Sequence, residues 1–404
     1  MAESVPTAPG PAAATTVHLR PAAAQLARKG RPWFYRDDLQ DPALPHAAIV
    51  RVLDDHGRDL GLGFTSTASK LVLRLCGPWP GDGVPFREQL FAARLAAAVE
   101  RRAGRLGPLD GVRLVHGEAD QLPGLVVDRY GAVLVLQVTS PAVEQCLDSI
   151  VPFLAAHTGA ECVLARNDTA VRKLELLPQE VRLLHGKRIT EVTIEEHGIR
   201  HVVRPFTGHK TGCYLDQAPA RLLVKQLAKG RRVLDLFAYQ GAFALAALAG
   251  GAASVLAVDQ SEAALAAAVA AAGQNGLTGL TTQAGNVFDF LRQQRDAGDR
   301  YGLVVLDPPA FAKSRRELAG ALRGYRDLNR LCLRLLAPHG LLLTCTCSHH
   351  VGHGAFEDVL RQAAAGLPFR VLLQQRLGAG SDHPVWLSLP ESEYLKVVLL
   401  QRAD

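Results

Sequence analysis

Two thiols and three carboxylates stand at the ends of apolar runs, where a parallel sheet would present them to a ligand. Cys345 and Cys347 close the run Gly340-Leu341-Leu342-Leu343-Thr344-Cys345-Thr346-Cys347-Ser348. Alternation along a strand would put both thiols on one face, with Cys347 nearer the carboxyl end. A thiol beside a cationic ligand and basic residues gains thiolate character. A thiolate can add to a pyrimidine ring. Cys345, deeper in the run, also reads as small apolar filler. Asp307 ends Leu303-Val304-Val305-Leu306 and is followed by Pro308 and Pro309. Proline cannot continue the ladder and restricts the residue before it, so Asp307 is held at the strand's carboxyl end. It reads either as a group that touches a base or as a structural strand end. His349, His350 and His353 follow Cys347 closely. Structural zinc favours cysteines two to four residues apart, so one intervening residue on a strand is awkward, and no metal is expected.

The elements that would position these groups centre on residues 231–260. Val233–Phe237 is an apolar run interrupted by Asp235, and Gly241 sits where the chain must turn into a helix over Ala242–Ala249. Gly250-Gly251 end that helix. Val255–Val258 is a second buried strand, with Asp259 and Gln260 after it. This is a βαβ unit, and such sheets bind ligands at the carboxyl ends of their strands. A carboxylate at Asp259, roughly two dozen residues beyond Asp235, can accept both hydroxyls of a ribose. The dinucleotide fingerprint needs three glycines to approach a pyrophosphate. Asp235-Leu236-Phe237-Ala238-Tyr239-Gln240-Gly241 supplies one. A ligand with a ribose and no pyrophosphate fits better, which points to S-adenosylmethionine (SAM) and away from a nicotinamide dinucleotide. Upstream, Gly208-His209-Lys210-Thr211-Gly212-Cys213-Tyr214-Leu215-Asp216-Gln217 reads as a ligand-contacting loop before a helix over 217–229. Asp216 there would either hold a cationic amine or serve as an N-cap.

The chain has 404 residues, 45 basic against 39 acidic for a formal charge of +6, and seven scattered cysteines. That length predicts two or three domains. The weak positive charge admits a polyanionic partner without requiring one. An odd cysteine count with no framework spacing predicts free thiols and a reducing, cytoplasmic setting. No apolar run spans a bilayer, and residues 1–16 read as a loose tail rather than a signal peptide. Residues 17–84 carry short strand-like runs at 48–53, 60–65 and 71–75. Arg31-Pro32-Trp33-Phe34-Tyr35-Arg36 suits stacking on unpaired nucleotides, or equally a core Trp with snorkelling arginines. Residues 85–195 form a central α/β unit, with an amphipathic helix over 85–105, a hairpin at Tyr130-Gly131 and a helix over 141–157. Arg172 and Lys173, in the charged turn after the strand 161–165, would grip phosphates or simply be solvated. Lys313, Arg323 and Arg326, soon after Asp307, carry the same two readings. The fold class is α/β, with a Rossmann-like domain of mixed, mostly parallel sheet over 196–404.

Several motifs together resemble a known family, the bacterial RlmI-type ribosomal RNA cytosine-5 methyltransferases with an N-terminal PUA domain. The resemblance covers nearly the whole chain after the tail. It rests on Arg31-Pro32-Trp33, Gly117-Glu118-Ala119-Asp120 with Leu122-Pro123-Gly124, Asp128-Arg129-Tyr130-Gly131 and Glu195-Glu196-His197-Gly198. Gly208-His209-Lys210-Thr211-Gly212 with Tyr214-Leu215-Asp216-Gln217, Asp382-His383-Pro384 and Tyr394-Leu395-Lys396 complete it. It implies a PUA-like RNA-binding domain over 17–84 and a SAM-dependent methyltransferase domain over 196–404. It also implies a large-subunit (23S) ribosomal RNA partner, with no membrane role and a homodimer admissible. By the same resemblance, Asp259 meets the ribose, the turn Asp235, Phe237, Ala238, Gly241 holds the methionine part, and Gln260 is a further cofactor-binding residue. Asn286-Val287 flank the adenine, Cys347 is the nucleophile and Asp307 touches the base edge. The chain departs from the family pattern at Gln240, at Asn286 and at Ala218-Pro219-Ala220, beside the expected substrate mouth. Two other readings share this fold: a guanine N2 or N7 methyltransferase, which needs no cysteine, and a non-catalytic RNA-binding or assembly protein.

Overall fold

Short β-branched and aliphatic runs between glycine turns build the first part of the chain. The computed structural model describes residues 15–41, 43–81, 86–312 and 314–404. Most of the expected tail therefore lies outside the described residues, as does Lys313. The chain divides into two compact units. One takes everything up to Val192 with Arg204–Cys213 and Val385–Pro390; the other takes Thr193–Val203, Tyr214–Pro384 and Glu391–Asp404.

The first unit holds two five-stranded sheets. Strands β1 (Thr16–His18), β2 (Trp33–Tyr35), β3 (Ile49–Leu53), β4 (Asp59–Thr65) and β5 (Leu71–Leu75) form one, in the order β1-β3-β4-β5-β2. The three expected strands are present. The two additional ones are only three residues long, too short to show a period. Strands β6 (Gly111–His116), β7 (Leu125–Tyr130), β8 (Val133–Val138), β9 (Cys162–Arg166) and β10 (Val181–Gly186) form the other, in the order β10-β9-β8-β7-β6. Tyr130 pairs with Val133 in the expected hairpin. Helix Phe86–Glu100 packs Phe91, Leu95, Ala98 and Val99 into the same core as Val112, Val127 and Leu136. The expected helix over 141–157 is two helices, Pro141–Glu144 and Leu147–Thr158. Cys146 leaves helical geometry between them, at φ −110° and ψ 6°.

The second unit opens with a hairpin of β11 (Val192–Glu196) and β12 (Ile199–Val203). It then forms one seven-stranded sheet from β13 (Arg232–Leu236), β14 (Ser254–Asp259), β15 (Leu280–Ala284), β16 (Tyr301–Leu306), β17 (Leu336–Thr346), β18 (Arg370–Leu377) and β19 (Lys396–Ala403). The order is β15-β14-β13-β16-β17-β19-β18. The first five strands are parallel, and β19 runs antiparallel between β17 and β18. Leu234, Leu306 and Leu342 face one core, while Val233, Val305 and Leu343 face the other. Burial on both faces explains why these strands read as unbroken apolar runs. The chain steps outward from β13 in one direction to β15, then resumes on its other side at β16. That switch point opens a crevice at the carboxyl ends of β13 and β16. Among the described residues, no helix is long and apolar enough to cross a membrane.

Candidate active site

Strand β13 delivers Asp235 one residue before its end, and the turn after it is unusual. Phe237, Tyr239 and Gly241 all have positive φ, at 61°, 50° and 74°. A non-glycine residue there is uncommon, and such residues gather at ligand sites. At Gly241 a side chain is excluded twice over. Its φ is left-handed, and an added Cβ would lie 2.7 Å from the Ala268 Cβ. The turn therefore runs close to the neighbouring helix that carries Ala268. Asp235 Oδ2 accepts a 3.0 Å hydrogen bond from the Ala244 backbone, while its Oδ1 is buried with no partner among the described residues. Burial, reinforced by the charges of Asp307 and Asp259, pushes the Asp235 carboxyl up to about 8.

Asp259 closes β14 in the next crevice position. Its two oxygens accept from the Tyr239 and Ser261 backbone amides, each at 2.9 Å. A carboxylate has about four lone-pair positions, so capacity for two hydroxyls remains. Phe237 is half-buried, Ala238 buried and Gln260 exposed. Asn286 caps the helix Val287–Ala297, its Oδ1 accepting from Phe288 at 2.9 Å and Asp289 at 3.4 Å. Val287 packs into the core beside Phe290 and Leu291. A glycine-tight turn, a ribose-competent carboxylate and a buried acid with an open oxygen suit a ligand carrying a ribose and a positive centre, as SAM does.

The other side of the crevice is built from β16 and β17. Asp307 follows β16 directly, its amide 3.5 Å from the Leu236 carbonyl. Cys345 is fully buried and Cys347, one residue beyond β17, is half-buried in the same core cluster. The expected alternation is thus observed. Burial pushes the Cys345 thiol far up, as does the charge of Asp307. Tyr325 braces the segment around Cys347: its hydroxyl accepts from Thr346 Oγ1 at 2.9 Å and lies 3.0 Å from Ser348 Oγ. Across the ladder, Thr346 faces Lys396 of β19. Tyr214 stands edge-on to Tyr239, ring centroids 6.2 Å apart. Burial raises the Tyr214 hydroxyl, and Tyr239, Asp307 and Cys347 add to the shift. Among the described residues, no three His, Cys, Asp or Glu side chains are grouped to hold a metal.

Asp216 is not an N-cap. The helix Ala218–Leu227 begins after Gln217, and Asp216 lies in a preceding 3-10 turn, buried. Tyr394, far along the chain, donates to its Oδ2 at 2.6 Å. Arg221 forks onto Glu196 at 2.5 and 2.7 Å and onto the Tyr214 carbonyl at 2.8 Å. The Glu195–Gly198 motif thereby anchors the start of this segment. Two other motifs meet in the first unit: Thr211 Oγ1 donates to Asp128 at 2.6 Å and lies 2.9 Å from the Tyr130 hydroxyl.

The basic residues sort unevenly. Lys173, Lys210 and Arg323 are exposed. Arg326 pairs with Asp327 and, with Arg323, lines a groove of about 240 Å³ that also contains Asp358. Arg31 lies over the Tyr35 ring, while Trp33 is half-buried and donates to Glu118 at 3.1 Å. Arg172 is a correction. It is fully buried and donates to the carbonyls of Pro178 and Val138 and to Glu144, so it serves the scaffold and is closed to phosphate. Tyr214, Tyr239, Tyr325 and Lys396 were not singled out as site residues from the sequence, although Tyr214 and Lys396 lie within quoted motifs.

A family model described as S-adenosylmethionine-dependent methyltransferase matches residues 113–383, and a PUA-like domain model matches 17–76. The chain belongs to this family of SAM-dependent methyltransferases, fused to a PUA-like domain. Among its relatives is ribosomal RNA large subunit methyltransferase I of Photobacterium profundum, 37% identical over 392 residues, covering 95% of this chain and 98% of that one. The protein of the same name from Shewanella denitrificans is 36% identical with the same coverage. Of solved structures, a methyltransferase complexed with SAH shares the fold at TM-score 0.83 and 23% identity, over 96% of this chain and all of that one. A SAM-dependent methyltransferase from Streptococcus mutans does so at 0.81 and 23%, with the same coverage.

Proposed function

We propose that this chain methylates C5 of a cytosine in large-subunit (23S) ribosomal RNA, in the cytoplasm, through a covalent bond between Cys347 and the base. The carrying observation is the half-buried Cys347 at the end of β17, one strand from Asp307 at the end of β16. The printed names of the relatives support the RNA class.

C5 of cytosine is a weak nucleophile. Addition of the Cys347 thiolate to C6 forms an S–C6 bond and moves electron density to C5. SAM, when bound, supplies the methyl group that C5 takes up. A general base, water included, then takes the C5 proton; the C5–H electron pair re-forms the C5–C6 double bond, and the S–C6 bond breaks to return the Cys347 thiolate. Asp307 accepts from the cytosine N4 amino group, a donor that uracil lacks. Asp259 and Gln260 hold the ribose of SAM; Asp235, Phe237, Ala238 and Gly241 hold its methionine part; Asn286 and Val287 flank the adenine; and Asp216 receives its amine. The target nucleotide must leave its stack to reach Cys347. Residues 17–84 and 85–195 hold the surrounding RNA, with Arg31, Trp33, Lys173 and Lys210 as contacts; Lys313, Arg323 and Arg326 serve the same end in residues 196–404.

The test is incubation with SAM and unmodified 23S RNA, followed by mass spectrometry of the nucleosides. The wild-type chain is expected to form 5-methylcytidine. Cys347→Ala is expected to lose that product by at least about a thousandfold while still binding SAM, as removal of a covalent nucleophile does. A methylguanosine product, or full methylation by Cys347→Ala, overturns the reading.

A further inference from the structure

The ladders that build the crevice stop short of its two reactive groups. Pairing along β16 ends at Leu306 and along β17 at Thr346. Asp307 and Cys347 each follow one residue later, where strand register no longer fixes them. Tyr325 meets both segments from the helix Leu318–Arg334, and it is fully buried. Its hydroxyl is the hub of a closed hydrogen-bond circuit. Thr346 Oγ1 donates to it at 2.9 Å, and Ser348 Oγ lies 3.0 Å away. A phenol has one proton to give, and with the Thr346 proton on its oxygen that one goes to Ser348. The Ser348 amide closes the circuit by donating to Thr346 Oγ1 at 3.3 Å. Cys347 is the residue between the two. Tyr325 and Leu342 belong to one core, Cys345 and Cys347 to the other, so the circuit holds the Cys347 backbone from the far face of the sheet. The same side chain meets the segment after Asp307. The Phe311 ring stands 4.7 Å from the Tyr325 ring, centroid to centroid, and the Phe311 amide is 3.5 Å from the hydroxyl.

We propose that Tyr325 is a positioning residue for the methyl transfer: its hydroxyl fixes the backbone on both sides of Cys347, its ring fixes the segment after Asp307, and one buried side chain thereby sets the thiol against the carboxylate. The proposal deepens the reading of Cys347 as nucleophile and rests on it. Sulfur must stand within about 3–3.5 Å of C6 to add, and a misplacement of about 1 Å from a change away from the chemistry can cost about a hundredfold in rate. A satisfied buried network supplies that rigidity, because its members hold one another in place. Tyr325 reaches the two reactive groups only through their neighbours in the chain. Its loss is therefore expected to slow the addition while leaving the SAM side of the crevice, on β13 and β14, unchanged.

The test follows the covalent adduct. 23S RNA transcribed with 5-fluorocytidine in place of cytidine is mixed with the full-length chain and SAM. C5 then carries fluorine where the departing proton would be, so the S–C6 bond persists and the protein–RNA adduct is counted on a denaturing gel. Tyr325→Phe removes the hydroxyl and keeps the ring. It is expected to slow adduct formation about ten- to a hundredfold, with the same final yield. On ordinary 23S RNA its kcat is expected to fall by a similar factor, while KM for RNA and SAM affinity by calorimetry stay within about twofold. Ser348→Ala breaks the circuit at another point and is expected to slow the adduct too, the double variant being no slower than the slower single. If Tyr325→Phe does not bind SAM, Ser348→Ala carries the same test. A wild-type rate in the SAM-binding variant overturns the proposal. So does a wild-type rate constant with a reduced yield, which marks a partly unfolded population and no positioning. If the wild-type adduct maps to Cys347 while the variant keeps its rate, only the proposal falls. If the wild-type chain forms no adduct and Cys347→Ala methylates fully, the nucleophile reading falls and takes the proposal with it.

Discussion

Buried ionisable groups in the first unit and at the carboxyl edge of the second unit's sheet are treated in opposite ways. In the first unit they come with matching partners. Arg102 forks onto Asp120 at 2.8 and 2.9 Å, Arg113 onto Asp128 at 2.7 and 2.8 Å, and Arg74 meets Glu175 at 2.6 Å. Burial pushes Asp120 up, yet Arg102 and Arg101 bring it below the usual carboxylate range. At the carboxyl edge of the seven-stranded sheet, Asp235 keeps one oxygen without a partner and is pushed up to about 8, and Lys396 has a single neutral acceptor. Charges that serve the scaffold are neutralised within the chain. Those at the crevice keep unmet bonding capacity, and pKa values perturbed in a cleft mark a candidate site.

Arg172 gives the sharpest way to break this contrast, because it sits in the scaffold beside an exposed lysine. Arg172→Met removes bonds to two carbonyls and to Glu144 from a fully buried site. A loss of about 3–4 kcal/mol in urea unfolding is expected, from the groups left without partners. Lys173→Ala, one residue on, is expected to leave stability within about 0.5 kcal/mol. It would weaken RNA binding, with a shallower salt dependence. If Arg172→Met unfolds normally and loses only RNA affinity, the scaffold reading fails. On the crevice side, Asp259→Ala deletes the proposed ribose acceptor. Two hydrogen bonds to a charged group predict SAM binding weakened about a hundredfold or more by calorimetry. A loss below about threefold would place the ribose elsewhere.

These examples also show what the sequence could reveal. Asp259, Asp307 and Cys347 were legible because each follows a mostly apolar run that burial on both faces requires, and Asp235 because it is the one acid that interrupts such a run. Gly241 was legible because a strand-to-helix turn with one glycine leaves few other places to bend. Arg172 was not legible: a charged residue in a charged turn looks solvated, and its burial is made tolerable by the carbonyls of Val138 and Pro178 and by the Glu144 carboxylate. Asp216 looked like a helix cap because the helix is adjacent in sequence, whereas Tyr394 reaches it from the far end of the chain. Trp33 was read with two outcomes, and its bond to Glu118 depends on a pairing 85 residues away. Lys396 is the plainest case. Its motif was visible, but its burial and its pairing with Thr346 follow from β19 inserting antiparallel against β17, a register that local pattern does not encode.

Asp235 allows the smallest and most specific measurement. Its folded value near 8 lies above the unfolded carboxyl value of about 3.9, so the native state binds the extra proton between them. Stability contributed by this group is therefore full at low pH, below the unfolded value, and falls as pH rises through the folded value. Asp235→Asn keeps the shape and removes the titration. Relative to the variant, the wild-type chain is expected to lose about 1–2 kcal/mol between pH 6.5 and 8, measured by urea unfolding at each pH. The same variant is expected to bind SAM more weakly near pH 8, where the wild-type carboxylate begins to ionise and meets a positive ligand. Together these results would mean that the site accepts instability so that the ligand, rather than the chain, completes the charge balance. Equal slopes for the two proteins would instead mean that Asp235 is neutralised within the fold, as Asp120 is, and that the contrast between the two regions does not extend to this residue.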